Sequence, residues 1–351
     1  GSWWGPSTHK EDIGWIDNGQ YAYRGINGGD GMQAQVDTRD NATVYSGSQF
    51  GVYSRYNKNQ RGSQRFIRPQ HELGEKPLRF NWQTPIWLSR HNQDVLYYGS
   101  NRFYRSLTKG DTMIAMSPDM TNGKVSGNVP YGTLTTIHES PLRFGLIYTG
   151  TDDGNIHRSY DGGYTWEQLN AKPAVPKQTK KTKTPATPDS RLTTNGLWVS
   201  RVTASQHKEA RVYTSLNGYR FDNFAPYLYI SEDYGASWKQ IGRDLPHEPI
   251  NVVKEDPKND SIIYVGTDGG LYVSFDRGNS FMLWNAGMPT SVPIHDIAIQ
   301  QRDNEIVLGT HGRSLYVSKL DDVQALKKDP DWMKKKAKPK KAEKEQDEED
   351  E

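Results

Sequence analysis

Short hydrophobic stretches alternate with polar turns along the chain, and the alternation repeats with the same content. In each repeat a hydrophobic strand ends in Tyr-x-Gly or a close variant, a Ser or Thr follows, and a second short strand begins a few residues later. The strand ends recur roughly 40–50 residues apart, which is the interval of a four-stranded propeller blade. The six copies lie at residues 44–48, 96–100, 147–151, 212–215, 263–267 and 307–310.

Three copies continue into a motif of Ser-x-Asp-x-Gly-x-Ser/Thr and an aromatic residue, and a fourth, at 106–113, is eroded. The Asp carboxylate can bond the N–H groups of its own turn, Gly takes a positive φ, and the aromatic plugs between sheets. Because the motif recurs at equivalent places, we predict a scaffold role rather than catalysis. Its residues are Ser159, Asp161, Gly163, Trp166; Ser231, Asp233, Gly235, Trp238; and Ser274, Asp276, Gly278, Phe281.

The repeat predicts an all-β fold, a β-propeller with about six blades spanning residues 1–320. A β-helix has shorter coils, and a β-sandwich does not repeat internally. The fourth copy carries an insertion at 216–226. A Lys/Pro/Thr-rich stretch at 171–191 predicts a mobile loop, and the charged residues 321–351 predict a disordered tail that could start with a short helix at 321–328.

Composition supports this fold and removes several classes of function. The 33 Gly, 20 Tyr and 10 Trp suit short strands, tight turns and aromatic packing, whereas a net charge of +2 gives no argument for nucleic acid. The absence of Cys excludes disulfides and thiolate chemistry. No apolar run reaches the roughly 18 residues of a membrane span. Nucleotide-loop, zinc and serine-elbow motifs are missing, so we predict neither a cofactor nor a metal.

Carboxylates that depart from the repeat are the first candidates for a site. Asp30 stands among glycines at 28–31, where it could approach a ligand closely or simply occupy a surface turn. Asp152, Asp153 and Asp268 follow Tyr-x-Gly-Thr strands, and His311 occupies the matching place in the last copy. These positions should cluster at the propeller mouth if the blades are equivalent. They could equally be ordinary strand-connecting turns.

Aromatic residues in predicted loops are the second hint. Trp82 lies in one such loop, Trp198 opens the fourth copy, and further aromatics stand at 219–221. Sugars bind by stacking on flat aromatic rings beside carboxylates and amides, so a glycan surface is a reasonable hypothesis, with core packing as the alternative for each ring. Arg313, two residues after His311, completes the predicted ligand-binding set.

The boxes at 159–166 and 231–238 resemble bacterial neuraminidase (BNR, Asp-box) repeats. Longer strings resemble the sortilin/VPS10-like BNR-repeat proteins of bacteria, often labelled glycosyl hydrolase; they lie at 80–85, 116–121, 224–229, 255–259 and 308–313. The resemblance covers about residues 1–320. It implies that the chain is the C-terminal propeller half of a secreted, periplasmic or cell-surface protein, with an N-terminal propeller and the export signal outside it.

Three functions follow from the resemblance and stay open. The first is binding of a glycan or polypeptide at the propeller mouth. In the second, the chain acts like the family 74 xyloglucanases, which place one catalytic acid in each of two propellers; Asp30 would be the acid of this half, since hydrolysis needs two carboxylates. The third is a sortilin-like scaffold for protein interactions. Neither nucleic acid nor membrane insertion is expected.

Overall fold

The described residues of the computed structural model, 1–6, 22–123, 131–170, 192–285 and 287–326, include six small antiparallel sheets around a central channel. Within each sheet the strands follow one another in chain order from the channel outward. The innermost strands of successive sheets contact one another. The predicted all-β propeller with about six blades is therefore confirmed.

The chain begins with a two-stranded ribbon, and the blades follow in order. The ribbon pairs β1 (Ser2–Trp4) with β2 (Arg24–Asn27). Blade 1 consists of β3 (Gln35–Val36), β4 (Thr43–Ser48), β5 (Val52–Asn57) and β6 (Arg65–Phe66). Blade 2 consists of β7 (Ile86–Leu88), β8 (Leu96–Gly99), β9 (Phe103–Ser106) and β10 (Ile114–Ala115). Blade 3 consists of β11 (Leu134–Glu139), β12 (Ile147–Thr151), β13 (Ile156–Ser159) and β14 (Glu167–Gln168).

The last three blades follow the same plan, except that the sixth has three strands among the described residues. Blade 4 consists of β15 (Trp198–Ala204), β16 (Val212–Gly218), β17 (Asn223–Ser231) and β18 (Lys239–Ile241). Blade 5 consists of β19 (Ile250–Glu255), β20 (Ile263–Thr267), β21 (Leu271–Ser274) and β22 (Met282–Leu283). Blade 6 consists of β23 (Ile294–Gln300), β24 (Glu305–Thr310) and β25 (Leu315–Lys319). Helix α1 (Asp321–Leu326) comes after β25.

The core is divided among the interfaces between blades. Five buried clusters each join two consecutive blades, from blades 1 and 2 to blades 5 and 6. The recurring tyrosine of the second strand is at most 1 % exposed in five blades. These tyrosines are Tyr45, Tyr97, Tyr148, Tyr213 and Tyr264. Burial of such large rings between neighbouring sheets contributes to the cohesion of the blades.

The glycine of Tyr-x-Gly has a packing cause. A Cβ placed on Gly266 would lie 2.7 Å from Ile294 Cγ2, on the innermost strand of the next blade, and one on Gly150 would collide with Val199 in the same way. The glycine therefore lets the next blade approach the second strand directly. Blade 4 has Ser215 in place of this glycine. The Ser215 hydroxyl forms a 2.8 Å hydrogen bond with the hydroxyl of Ser200, which lies on the innermost strand of the same blade.

The aspartate hairpins have a common hydrogen-bond geometry. In the second box, Asp233 Oδ1 accepts from the Ser231 hydroxyl at 2.7 Å and from the Ser237 N–H at 2.9 Å, and Oδ2 accepts from the Ser237 hydroxyl. The Ser231 oxygen accepts the N–H of Gly235, whose φ is +92°. The first and third boxes repeat these bonds around Asp161 and Asp276.

The box aromatics reach into the neighbouring blade. Trp166 of blade 3 packs edge-to-face on Phe103 of blade 2, with ring centroids 4.9 Å apart, and donates its indole N–H to Met116 O at 3.0 Å. Phe281 of blade 5 joins the cluster shared by blades 4 and 5. The hairpins thus fix each blade and also bind it to the preceding one.

Blade 6 ends differently from the others. After β25 the chain turns into α1, which buries Val323 against blade 5 in place of an aspartate hairpin. The outer edge of β25 has no neighbouring strand in the part of the chain that the structure describes, and its Leu315 and Val317 are 59 % and 45 % exposed. No buried cluster joins blades 6 and 1 within those same residues.

The predicted mobile loop and most of the predicted disordered tail lie outside the residues that the structure describes. The loop at 171–191 and the tail from 327 onward lie outside the described residues, while α1 occupies the start of the predicted tail. No described helix has the length and apolar character needed to cross a membrane.

Candidate binding cleft at the propeller mouth

The innermost strands of the six blades all run in the same direction along the channel, so residues at their starts meet at one end. Residues at this end line a cleft with a volume of about 680 Å³, which lies within the range of about 300–1,000 Å³ that is usual for small-ligand sites. Each blade contributes a residue at or just before its innermost strand: Gln33, Gln83, Thr135, Trp198, Asn251 and His295.

Aromatic rings form two walls of the cleft. Trp82 is 42 % exposed and is held edge-to-face against Phe50, with centroids 5.0 Å apart. On the other side, the Arg220 guanidinium lies 4.1 Å from the ring centre of Trp198 and 4.9 Å from that of Tyr219. The edge-to-face contact and the two cation–π contacts hold these rings in fixed positions around the opening.

The insertion in the fourth repeat builds this second wall. Strand β16 continues to Gly218, and a 3-10 turn at Tyr219–Phe221 follows. Asp222 then adopts a left-handed conformation with φ of 52°, which returns the chain into β17. The insertion therefore lengthens the hairpin formed by β16 and β17, and its tip brings Tyr219 and Arg220 to the cleft.

A chain of amide hydrogen bonds forms the polar floor. Asn217 accepts the N–H of Tyr219 at 3.1 Å and donates to Asn251 Oδ1 at 3.1 Å. Asn251 in turn donates to Asp268 Oδ1 at 2.8 Å and to Ile294 O at 3.3 Å. Asp268 is thereby oriented while its exposed carboxylate keeps capacity for further donors.

Two histidines close the cleft on the side of blade 6. The rings of His295 and His311 lie 5.0 Å apart at 39°. Partial burial lowers the pKa of His295, and the proximity of His311 lowers it further. Deeper in the cleft, Arg201 Nη2 pairs with Asp296 Oδ1 at 2.9 Å. In the part of the chain that the structure describes, the cleft lining therefore combines aromatic surfaces, amides, imidazoles and one carboxylate, that of Asp268.

The structure brings three of the predicted site residues together and leaves the others apart. Trp82, Asp268 and His311 line the cleft. Asp30 is exposed in the loop before β3, where its N–H bonds Gln49 Oε1 at 3.2 Å, and its carboxylate has no partner among the described residues. Arg313 is exposed, and its N–H bonds Thr310 Oγ1 at 3.1 Å. Neither contributes to the cleft lining.

Asp152 and Asp153 are buried inside blade 3. Asp152 accepts the N–H groups of Gly132 and Thr133 at 2.9 and 3.0 Å and the Thr133 hydroxyl at 2.5 Å. Burial is the main influence on the Asp152 carboxyl and raises its pKa to about 6. Asp153 accepts from the Asn122 N–H at 2.7 Å and the Thr151 hydroxyl at 2.6 Å. Both carboxylates hold the segment leading into β11.

The sequence reasoning missed the amides and one of the imidazoles of this cleft. Asn217, Asn251 and His295 are single polar residues within hydrophobic strands, so no repeat signature marks them. Their shared signal is position: Asn251 and His295 are each the second residue of an innermost strand, and Asn217 lies at the start of the insertion. In the described ranges no three His, Asp or Glu side chains come together as metal ligands would.

Comparisons with known proteins agree with this architecture. The family model Sortilin-Vps10, described as sortilin, neurotensin receptor 3, matches residues 226–342. The GH74 xyloglucanase from Xanthomonas campestris superposes with a TM-score of 0.58 at 17 % identity, over 82 % of this chain and 45 % of that one.

A second propeller of known structure is also similar. The extracellular domain of a B. thetaiotaomicron protein assigned as a one-component system superposes with a TM-score of 0.52 at 18 % identity, over 85 % of this chain and 34 % of that one. This chain spans less than half the length of either structure. A comparison with curated proteins finds no significant match.

Proposed function

We propose that this six-bladed propeller, similar to sortilin/Vps10 proteins over its C-terminal part, is a binding protein that holds a glycan in the cleft at its mouth. The observation that carries the proposal is the composition of the cleft: Trp82 and Trp198 are both part of its lining, together with the oriented Asn251–Asp268 pair of blade 5. Flat rings recognise the C–H faces of sugars, and amides and carboxylates recognise their hydroxyls.

The volume of the cleft suits part of an oligosaccharide rather than a macromolecular interface. About 680 Å³ falls within the range of ordinary small-ligand pockets. The structural similarity to a xyloglucanase makes β-glucans with side branches the first class to test. The similarity to an extracellular domain supports a secreted, periplasmic or cell-surface location as part of the proposal.

Glycoside hydrolysis with a second propeller is the alternative. Among the described residues, Asp268 supplies the single carboxylate of the cleft lining, and two-carboxylate hydrolysis requires a second one roughly 5–10 Å away. The exposed Asp30 lies outside the lining, so it could act only on a substrate that extends beyond the cleft. A partner propeller would then have to supply the other acid. Polypeptide binding, as in a sortilin-like scaffold, is the third candidate.

A binding screen distinguishes these functions. The full chain is run in affinity electrophoresis through gels that contain xyloglucan, unbranched β-glucan or no polysaccharide, and released reducing ends are measured in parallel. Retardation without sugar release supports the proposal. Sugar release by the wild type that Asp30→Asn abolishes supports hydrolysis. Absence of retardation by every polysaccharide, together with binding of a peptide library, contradicts glycan binding and favours the scaffold.

A further inference from the structure

The central channel continues below the mouth cleft and narrows toward the opposite end of the propeller. The wider part has a volume of about 300 Å³ and is lined by residues of all six innermost strands. The narrow end adds about 50 Å³, enough for one or two waters or a single small ion. Because the strands run from the mouth to this end, their last residues meet here.

Positively charged groups come together at this end of the channel. Arg90 follows β7, Lys254 lies in β19, and both line the channel without a hydrogen bond or ion pair to any described residue. They come from blades 2 and 5, so only the circular arrangement brings them together. Arg201 lies above them and is paired with Asp296.

Neutral donors without partners stand beside these charges. His138 Nδ1 accepts the N–H of Ala204 at 3.2 Å, so its Nε2 carries the hydrogen and has no acceptor in the described protein. Trp87, whose ring centre lies 4.3 Å from that of His138, has a buried indole N–H without a partner. The Nε of Arg201 is likewise buried and unpaired.

Carboxylates are few among the described residues that line the same space. Asp296 is engaged by Arg201, and within the described ranges it is the one carboxylate that lines the wider part of the channel. At the narrow end Glu255 already accepts from Ser205, Gln206, Arg211 and Tyr213. Strand β3 contributes no charged side chain to the lining. The described lining therefore carries more positive than negative charge, and an anion would offset the cost of partly burying the Lys254 ammonium.

We propose that the far end of the axial channel is a binding site for a small oxyanion of the sulfate or phosphate type, held by Lys254, Arg90 and the His138 Nε2–H. Charge-assisted hydrogen bonds from an ammonium and a guanidinium are the usual way in which proteins hold such ions. The site is separate from the mouth cleft, and it does not depend on glycan binding there.

The state of Lys254 gives the site a pH dependence. Burial is the largest influence and lowers the pKa of Lys254 to about 8; Arg201 and Arg90 lower it further, while Asp296 opposes them. The same three cations surround His138, whose pKa is lowered mainly by burial. A bound anion stabilises the charged lysine, so affinity should fall as the pH rises from 7 to 9.

The test is a titration of the full chain with sodium sulfate at constant ionic strength, balanced with NaCl and followed by calorimetry and by the melting temperature. For the wild type we expect saturable binding and a rise in Tm, both weaker at pH 9 than at pH 7. Lys254→Met should weaken binding at least about tenfold, because it removes one charge-assisted interaction. Without sulfate, the same variant should melt higher than the wild type, because a partly buried charge without a close partner is gone.

Lys239→Met on the exposed outer strand β18 serves as the control for loss of one positive charge. If it weakens sulfate binding as much as Lys254→Met, or if the wild type shows no saturable binding, the proposal is wrong. Arg90→Gln provides a second variant at an exposed side chain, in case Lys254→Met does not fold. Unchanged sulfate affinity in Arg90→Gln would also contradict the proposal. Titrations with phosphate and acetate define which oxyanion fits.

Discussion

The phenolic hydroxyl of Tyr213 in blade 4 donates to the Glu255 carboxylate of blade 5 across 3.1 Å, inside the interface between the two blades. Tyr97 of blade 2 donates in the same way to Glu139 of blade 3 at 2.7 Å. Burial raises the pKa of both tyrosines, and the neighbouring carboxylates raise it further, so both stay protonated donors. Two interfaces of the propeller are thus joined by buried polar bonds as well as by apolar packing.

Removal of the arginine that balances Glu255 should strongly destabilise the fold. Arg211 Nη1 lies 3.3 Å from Glu255, and the side chains of the two residues are 5 % and 2 % exposed. Arg211→Met leaves a buried carboxylate without its cation and should cost about 3–5 kcal/mol in the free energy of unfolding. Chemical denaturation measures this. Lys208→Met, which breaks an exposed pair with Glu232, should cost less than about 1 kcal/mol; equal losses would contradict the account.

Restoring the eroded aspartate box should stabilise blade 2. Ser106 already accepts the Gly110 N–H at 2.8 Å, and Thr108 Oγ1 accepts the Thr112 N–H at 3.0 Å, in the manner of a complete box. Thr108→Asp adds a carboxylate that can also accept the Thr112 hydroxyl, which should raise the free energy of unfolding by about 1 kcal/mol. Thr108→Asn, which has the shape without the charge, is the matched control. A loss of stability in Thr108→Asp would show that the box is not a transferable turn lock.

Stability should fall on acidification because of a buried histidine. His157 in β13 is 8 % exposed, and burial lowers its pKa to about 4. The unfolded chain takes up the proton near pH 6.5, so the contribution is complete above that pH and is lost as the pH falls toward 4. At 1.36 kcal/mol per pKa unit this amounts to about 3 kcal/mol.

Denaturation of the wild type and His157→Gln from pH 7.5 to 4.5 tests this contribution. The variant should lose less stability over that range than the wild type, since it has no proton to gain at this position. His71→Gln, at an exposed side chain, is the control for loss of an imidazole. Parallel pH profiles of the wild type and His157→Gln would refute the assignment.

The repeat pattern was sufficient to predict the blades because the same physical need recurs in each one. Every Tyr-x-Gly strand lies between two sheets, so the ring must be buried and the glycine must admit the next blade, as at Gly150 and Gly266. Sequence and structure agree here because the same contact with the neighbouring blade constrains the same residue types in each repeat. Blade 6 departs from the pattern where Val323 of α1 enters the core in place of a box aromatic.

The candidate site could be predicted only in part, because equivalent positions do not have equivalent neighbours. Asp152 and Asp268 both follow a Tyr-x-Gly-Thr strand. Asp152 turns inward to bond Gly132 and Thr133, whereas Asp268 meets Asn251 and stays exposed in the cleft. Which outcome occurs depends on the residues at the start of the innermost strand of the same blade, and the repeat does not encode them. The meeting of Lys254 with Arg90 likewise appears only once the ring is assembled.

The central claim is that the mouth cleft is the ligand site, and calorimetric titration of a branched β-glucan oligosaccharide tests it most directly. Trp82→Ala and Asp268→Asn should each weaken binding by about tenfold or more while the far-UV spectrum and Tm stay near those of the wild type. Phe66→Ala removes a ring that is 75 % exposed outside the cleft and should leave binding unchanged. Equal affinities in the wild type, Trp82→Ala and Asp268→Asn would contradict the claim.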